Sequence, residues 1–190
     1  MQPRFCLLTL LFLCSCASAR KRQEHPLEIK FTLPHREYSW REYSLDSVKL
    51  ARPMPYTVDV YRITYVLNER GVVLYKTAYS PEAAPIRIGS KGISAQQARA
   101  FRRILRRANP DSLALRSNNV AADDGFQAEV TVTKAGRMTE LFWNNNYVPE
   151  LVALLSIVNA ASPAPFRVYP VAKEADFIQS LKATSDYKSR

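Results

Sequence analysis

The sequence predicts an α+β domain, in which an antiparallel sheet built from two hairpins plus an N-terminal strand packs against two to three helices. Several short stretches alternate apolar and polar residues, which is the period of a half-buried strand. Two longer stretches carry apolar residues at helical spacing. The stretches follow in the order strand, hairpin, helix, hairpin, helix and tail. Because strand–helix–strand crossovers do not dominate this order, it favours an antiparallel sheet covered by helices on one face.

The first predicted strand covers residues 28–33, where Ile29, Phe31 and Leu33 share one face, and Pro34 is expected to end it. A tandem of Arg-Glu-Tyr-Ser follows at residues 36–39 and 41–44. An offset of five residues places the two copies on different faces of either regular structure. We therefore interpret the tandem as coincidence or a small duplication, with an aromatic binding segment as the alternative.

The first hairpin is predicted by apolar side chains that alternate from residue 61 onward: Tyr61, Ile63, Tyr65 and Leu67. Turn residues occupy positions 68–71, and a β-branched and aromatic run resumes at positions 72–79. Val58 and Val60 have the opposite parity, so either a bulge shifts the face or both faces are partly covered. Residues 86–88 are a candidate for a short third strand.

A helix is predicted after Ser94, because Gln97 stands three residues later at the spacing of a capping box. Asn109 and Pro110 are expected to stop it. At 100° per residue, Phe101 and its apolar neighbours share one side. Five arginines fall on the other side, within roughly 140° of arc: Arg99, Arg102, Arg103, Arg106 and Arg107.

The second hairpin is predicted over residues 126–143, with a turn at residues 134–137. Pro149 and Glu150 suit the first turn of a second helix, whose later residues are apolar on almost every side. Such a helix is expected to be buried against the sheet. Residues 166–169 are a candidate strand. Residues 174–182 are expected to form a last helix with three side chains facing inward: Phe177, Ile178 and Leu181.

We expect the chain to divide into a lipoprotein-type signal peptide at residues 1–15, a polar tether at residues 16–27 and a single α+β domain at residues 28–190. Arg4 precedes an apolar run at residues 5–13. This run is shorter than the ~20 residues needed to span a bilayer, and it is typical of the apolar region of a signal peptide.

The segment Leu13-Cys14-Ser15-Cys16 resembles the lipobox of bacterial lipoproteins, with Cys14 at a position where Ala, Ser or Thr is usual. The resemblance covers these four residues and nothing of the folded domain. It implies that Cys16 receives a lipid and becomes the first mature residue. Ala17 follows it where an inner-membrane lipoprotein often has Asp, which implies an outer-membrane destination. The alternative is Ala17-Ser18-Ala19, a site for the ordinary signal peptidase.

All three cysteines lie within the first sixteen residues, so the folded part has neither thiol chemistry nor a disulfide. The net charge of +10 favours anionic partners. Arg20, Lys21 and Arg22 form a basic cluster that either lies on anionic headgroups or belongs to a solvated tether.

Motifs for catalysis or metal binding are not found. His25 and His35 are the only histidines, and neither belongs to a zinc-binding or serine-hydrolase pattern. Asp123-Asp124-Gly125 is interpreted as a turn, with calcium binding or acid–base work as the alternative. The prediction is therefore a protein that is not an enzyme and has neither a cofactor nor a metal site.

Two segments are candidates for binding. The five arginines either bind an anionic lipid, a glycan or an acidic protein, or form a solvated helix face. Nucleic acid is not expected as a partner. The segment from Trp143 to Tyr147 mixes aromatic and amide side chains, as sugar sites do, but a loop that ends a strand is the favoured interpretation.

These observations predict a cell-envelope lipoprotein with a non-enzymatic binding or structural role, anchored to the membrane through Cys16. The alternative is a soluble secreted or periplasmic binding or inhibitor protein cut after Ala19. An envelope hydrolase is less favoured.

Overall fold

The computed structural model describes residues 26–40, 56–80, 82–118 and 125–186. The signal segment with Cys16, most of the tether, the second copy of the tandem and the Asp123-Asp124 pair lie outside the described residues.

The described chain forms a six-stranded antiparallel sheet and four helices, which confirms the predicted α+β fold. The strands are β1 (Glu28–Trp40), β2 (Tyr56–Asn68), β3 (Gly71–Ala78), β4 (Ile86–Gly92), β5 (Gln127–Lys134) and β6 (Arg137–Asn144). The helices are α1 (Ala95–Arg107), α2 (Pro110–Ser117), α3 (Pro149–Ala161) and α4 (Glu174–Asp186). The strand order is β4-β3-β2-β1-β5-β6, so the two predicted hairpins lie on either side of β1.

The core lies on one face of the sheet. Alternate residues of the central strands are buried there, including Ile29, Ile63 and Val130, and they belong to one cluster with the buried residues of α1 and α3. Helix α3 buries residues on nearly all sides, as predicted, among them Leu151, Leu154 and Val158. The opposite face of the sheet, which we call the open face, carries half-buried and exposed side chains.

Strand β1 continues through Pro34 to Trp40, so the prediction that Pro34 ends it is wrong. Its pairing with β2 runs unbroken from Glu28 to Trp40, whereas its pairing with β5 ends at Thr32. Pro34 therefore lies where β1 has one neighbouring strand instead of two. A proline is tolerated there because the missing N–H need not donate to a second neighbour.

Strand β2 pairs with β1 and β3 in continuous register, which excludes a bulge as the cause of the parity change at Val60. Val60 instead points to the open face, where its side chain is exposed. The irregularity lies between β3 and β4, at Leu74 and Tyr75. The candidate strand at residues 86–88 is present as β4, which is longer than expected and forms one edge of the sheet.

Side chains that bind the backbone confirm one expectation and correct another. The pair Asn109-Pro110 ends α1 but also begins α2, because the Asn109 Oδ1 atom accepts from the Asp111 N–H at 3.0 Å and proline suits the first turn. The strand expected at residues 166–169 is absent. The side chain of Asn159 binds the backbone there, accepting from the Val168 N–H at 2.8 Å and donating to the Tyr169 carbonyl at 2.9 Å.

The turn between β5 and β6 has positive φ at both central residues, 52° at Ala135 and 77° at Gly136. This matches a type I′ turn, which favours Asn-Gly. We expect Ala135→Asn to raise the free energy of unfolding by about 0.5–1 kcal/mol, because alanine is strained in the left-handed region and asparagine is less so. Urea denaturation measures the change. The control Ala135→Val is expected to destabilise the turn, and equal stability of both variants would contradict this account.

Candidate functional site

Helix α1 is held at both ends by side chains. At its N-terminus the predicted capping box is present, with the Ser94 Oγ atom accepting from the Gln97 N–H at 3.2 Å and the Gln97 Oε1 atom accepting from the Ser94 N–H at 2.8 Å. At its C-terminus the Lys134 ammonium donates to the carbonyls of Arg106 and Ala108, both at 2.8 Å. A cation at this end is favourable because the last carbonyls of a helix carry partial negative charge.

The helix divides into an apolar and a basic side. Phe101 and Leu105 are fully buried in the core. The opposite side is formed by the predicted arginines, which we call the arginine face: Arg99, Arg102, Arg103, Arg106 and Arg107. Four of the five are exposed and Arg102 is half-buried. The periodicity therefore places these residues together on one surface, although placement alone assigns no ligand to them.

One carboxylate neutralises part of this face. The Arg102 Nη1 atom lies 3.1 Å from the Glu69 Oε2 atom, and both side chains are about two-fifths exposed to solvent. Glu69 is positioned by the turn between β2 and β3, in which the Asn68 Oδ1 atom accepts from the Arg70 N–H at 2.9 Å. Among the described residues, no ion pair is formed by the other four guanidinium groups: Arg99, Arg103, Arg106 and Arg107.

The spacing of these arginines opposes helix formation. Arg99, Arg103 and Arg107 are four residues apart in turn, as are Arg102 and Arg106. Like charges at this spacing destabilise a helix by about 0.2–0.5 kcal/mol per pair. Arg106 and Arg107 partly offset the cost because they lie in the last turn. An anion bound across the face would relieve the repulsion, so the arrangement is suited to an anionic ligand.

The segment from Trp143 to Tyr147 serves the fold. The indole of Trp143 is fully buried, and its Nε1 atom donates to the Asn146 carbonyl at 2.7 Å. Asn145 has a φ of 48°, and its Oδ1 atom accepts from the Phe126 N–H at 2.7 Å. The amide groups therefore close the end of the β5–β6 hairpin. This confirms the interpretation of the segment as a loop that ends a strand.

Groups with a shifted pKa lie away from the arginine face and have structural partners. Hydrogen bonding from Arg116 lowers the pKa of Glu150, joining α2 to α3 at distances of 2.9 and 3.2 Å. Burial raises the pKa of Tyr169 to about 12, and burial also raises that of Tyr65, whose hydroxyl donates to the Phe166 carbonyl at 2.7 Å. These tyrosines remain protonated at neutral pH and act as hydrogen-bond donors.

The described ranges contain no group of three or more His, Cys, Asp and Glu side chains that could hold a metal ion. None of the helices in those ranges is both long and apolar enough to cross a membrane. The side chain of His35 and the predicted lipidation residue Cys16 are not described, so the structure does not place them.

Two residues of the site could not be found from the sequence. Glu69 reaches α1 from the turn between β2 and β3, and Lys134 reaches it from the end of β5, each about thirty residues away along the chain. Only the strand order brings Glu69 to the middle of α1 and Lys134 to its C-terminal end.

No protein-family model, curated protein or solved structure matches the chain. The function is therefore inferred from the residues of this chain alone.

Proposed function

We propose that this protein is a cell-envelope lipoprotein that is anchored through a lipidated Cys16 and binds anionic lipid headgroups through the arginine face, without catalysing a reaction. The observation that carries the binding proposal is the set of four exposed arginines on one helix with no ion pair among the described residues. The anchor proposal rests on the lipobox-like segment Leu13-Cys14-Ser15-Cys16 after an apolar run.

Anionic headgroups fit this face better than the other partners considered from the sequence. A lipid on Cys16 would hold the domain within a short tether of the bilayer, where the local concentration of headgroups is high. Each basic residue near an anionic surface contributes about 1 kcal/mol. The four arginines that form no ion pair with the described residues therefore supply about 4 kcal/mol, which is too little for stable anchoring alone but enough to orient a tethered domain.

The alternative function is that of a soluble secreted or periplasmic binding protein, cut after Ala19. The segment Ala17-Ser18-Ala19 supports it, because small residues at these positions suit the ordinary signal peptidase. In that case the arginine face would meet its anionic partner without a tether. The folded domain is the same in both proposals, so the two differ in location and in affinity.

The binding proposal is tested with the chain that begins at Arg20 and carries no lipid. We expect Arg99→Glu, Arg103→Glu and Arg106→Glu together to weaken binding to phosphatidylglycerol vesicles at least about 100-fold, since three contributions of about 1 kcal/mol are lost. Co-sedimentation measures the binding. It should also weaken as added salt shortens the Debye length below about 8 Å.

The matched control reverses three exposed basic residues on other elements: Arg87, Lys173 and Lys182. It changes the net charge of the domain by the same amount. If the control variant loses as much binding as the variant of the arginine face, net charge and not the face determines binding. Equal binding of the wild type to neutral phosphatidylcholine vesicles would also contradict the proposal.

A further inference from the structure

A pocket of about 160 Å³ opens on the open face of the sheet, at the point where β1 and β5 separate. The two strands are paired from Glu28 to Thr32 of β1, and the last pair is Thr32 with Glu129. Beyond it β1 continues along β2 alone, so a notch forms between Pro34 and the start of β5. We call this notch the fork pocket.

The charges of the fork pocket balance each other. The Arg62 guanidinium lies 3.5 Å from the Glu129 carboxylate and 4.9 Å from the centre of the Tyr79 ring, over which it stacks. Thr32 and Gln127 contribute uncharged polar groups to the lining. One cation and one anion give the lining no net charge, which distinguishes this pocket from the arginine face and argues against an anionic ligand.

Aromatic rings border the pocket. Phe142, opposite Glu129 in the β5–β6 ladder, is 43% exposed, and Tyr79 is 54% exposed. Small-molecule pockets are lined by a few polar groups and by apolar or aromatic side chains, as this one is by the two rings. Their neighbours restrict what can be stacked on them, because one face of the Tyr79 ring is already occupied by Arg62. Among the described residues, no ring or cation stacks on Phe142, so its ring is the one available to a ligand.

The volume of the fork pocket limits the size of the ligand. Pockets for drug-sized molecules are about 300–1,000 Å³, so 160 Å³ admits a single small ring. A pyranose has an apolar C–H face for an aromatic ring and hydroxyl groups that both donate and accept hydrogen bonds. Paired Arg62 and Glu129 offer donors on one side and acceptors on the other, which suits hydroxyl groups better than it suits a charge.

We propose that the fork pocket binds one neutral sugar unit of a glycan, with its C–H face on Phe142 and its hydroxyl groups on Arg62 and Glu129. This site is independent of the function proposed above. The arginine face points away from the sheet on the helix side, whereas the fork pocket lies on the open face. A domain oriented on a membrane by α1 could therefore hold a glycan on its far side at the same time.

The test is an NMR titration of the ¹⁵N-labelled chain that begins at Arg20 with two neutral trisaccharides, chitotriose and maltotriose, and separately with inorganic phosphate. We expect at least one trisaccharide to shift the resonances of Arg62, Glu129 and Phe142, and phosphate to shift none of them. Phe142→Ala should weaken the binding at least about tenfold, because a central aromatic contact is lost. Met138→Ala is the control, since Met138 is exposed on the same strand but does not line the pocket.

A second variant tests the charge balance without removing a ring. Glu129→Gln leaves Arg62 without its carboxylate, so we expect phosphate to begin to shift the pocket resonances while the trisaccharide binds more weakly. The proposal is overturned if neither trisaccharide shifts the pocket, if phosphate binds the wild-type pocket, or if Phe142→Ala and Met138→Ala have equal effects. Reversal of the arginine face should leave the titration unchanged, so the two proposals fail independently.

Discussion

Replacing Cys16 by serine is expected to move the protein from the membrane fraction to the soluble fraction. In the proposed lipoprotein the lipid would be attached through the thiol of Cys16, and serine lacks that sulfur atom. Each buried CH₂ of an acyl chain contributes about 0.8 kcal/mol, so the anchor outweighs every contact that the arginine face supplies. The segment Ala17-Ser18-Ala19 remains in the variant, and a cut after Ala19 would then release a soluble chain. Fractionation of a bacterial host that expresses the full chain measures the change.

The matched control is Cys14→Ser, which places a usual lipobox residue at that position and should leave the protein in the membrane fraction. A wash in 1 M salt separates the anchor from the arginine face, because the Debye length falls to about 3 Å. If the Cys16→Ser variant resists that wash and still carries a lipid mass, the anchor is not at Cys16. If it resists the wash as an uncut precursor, the apolar run retains it, and a further change that restores a strong cut site should release it.

Replacing Trp143 by alanine is expected to lower the free energy of unfolding by about 4 kcal/mol, since a large side chain in a closed core leaves a cavity. Its indole is fully buried, with the ring centre 4.8 Å from that of Phe126 and 6.2 Å from that of Phe31. The variant also removes the hydrogen bond to the Asn146 carbonyl, which closes the end of the hairpin. Urea denaturation measures the loss.

Phe142→Ala is the natural comparison, because Phe142 precedes Trp143 on β6 and points to the open face. Its ring is 43% exposed, so we expect a loss of less than about 1.5 kcal/mol. Equal losses in the two variants would contradict the assignment of one core face to the sheet. A Trp143→Ala variant with unchanged stability would return the indole to the list of binding residues.

The strands could be predicted where apolar and polar residues alternate, because the core covers only one face of the sheet. Residues 61–67 and 126–133 show this alternation, and the buried residues of β2 and β5 follow that parity. The fold departs from the sequence pattern where a distant group changes the local preference. Pro34 is compatible with β1 because the pairing of β1 with β5 has already ended at Thr32, and Asn159 holds residues 168–169 out of any strand. The residues next to Pro34 and next to positions 168–169 in the sequence reveal neither the end of the β1–β5 pairing nor the contacts of Asn159.

The arginine face was predictable for the same reason as the hairpins, because one helical period decides which side chains share a surface. The residues that contact this helix from other elements could not be predicted. Glu69 belongs to the turn after β2 and Lys134 to the end of β5, and only the strand order places these two residues at α1. The fork pocket was beyond sequence reasoning altogether, since it arises from the register at which β1 and β5 separate. Arg62 and Phe142 are eighty positions apart and carry no motif.

The intact mass of the wild-type protein from the membrane fraction tests the proposed anchoring most directly. A lipoprotein begins at Cys16, so the proposal predicts the mass of residues 16–190 increased by that of attached acyl chains. A protein with the unmodified mass of residues 20–190 would have been cut after Ala19. That result would contradict the lipid anchor and leave a soluble binding protein in its place.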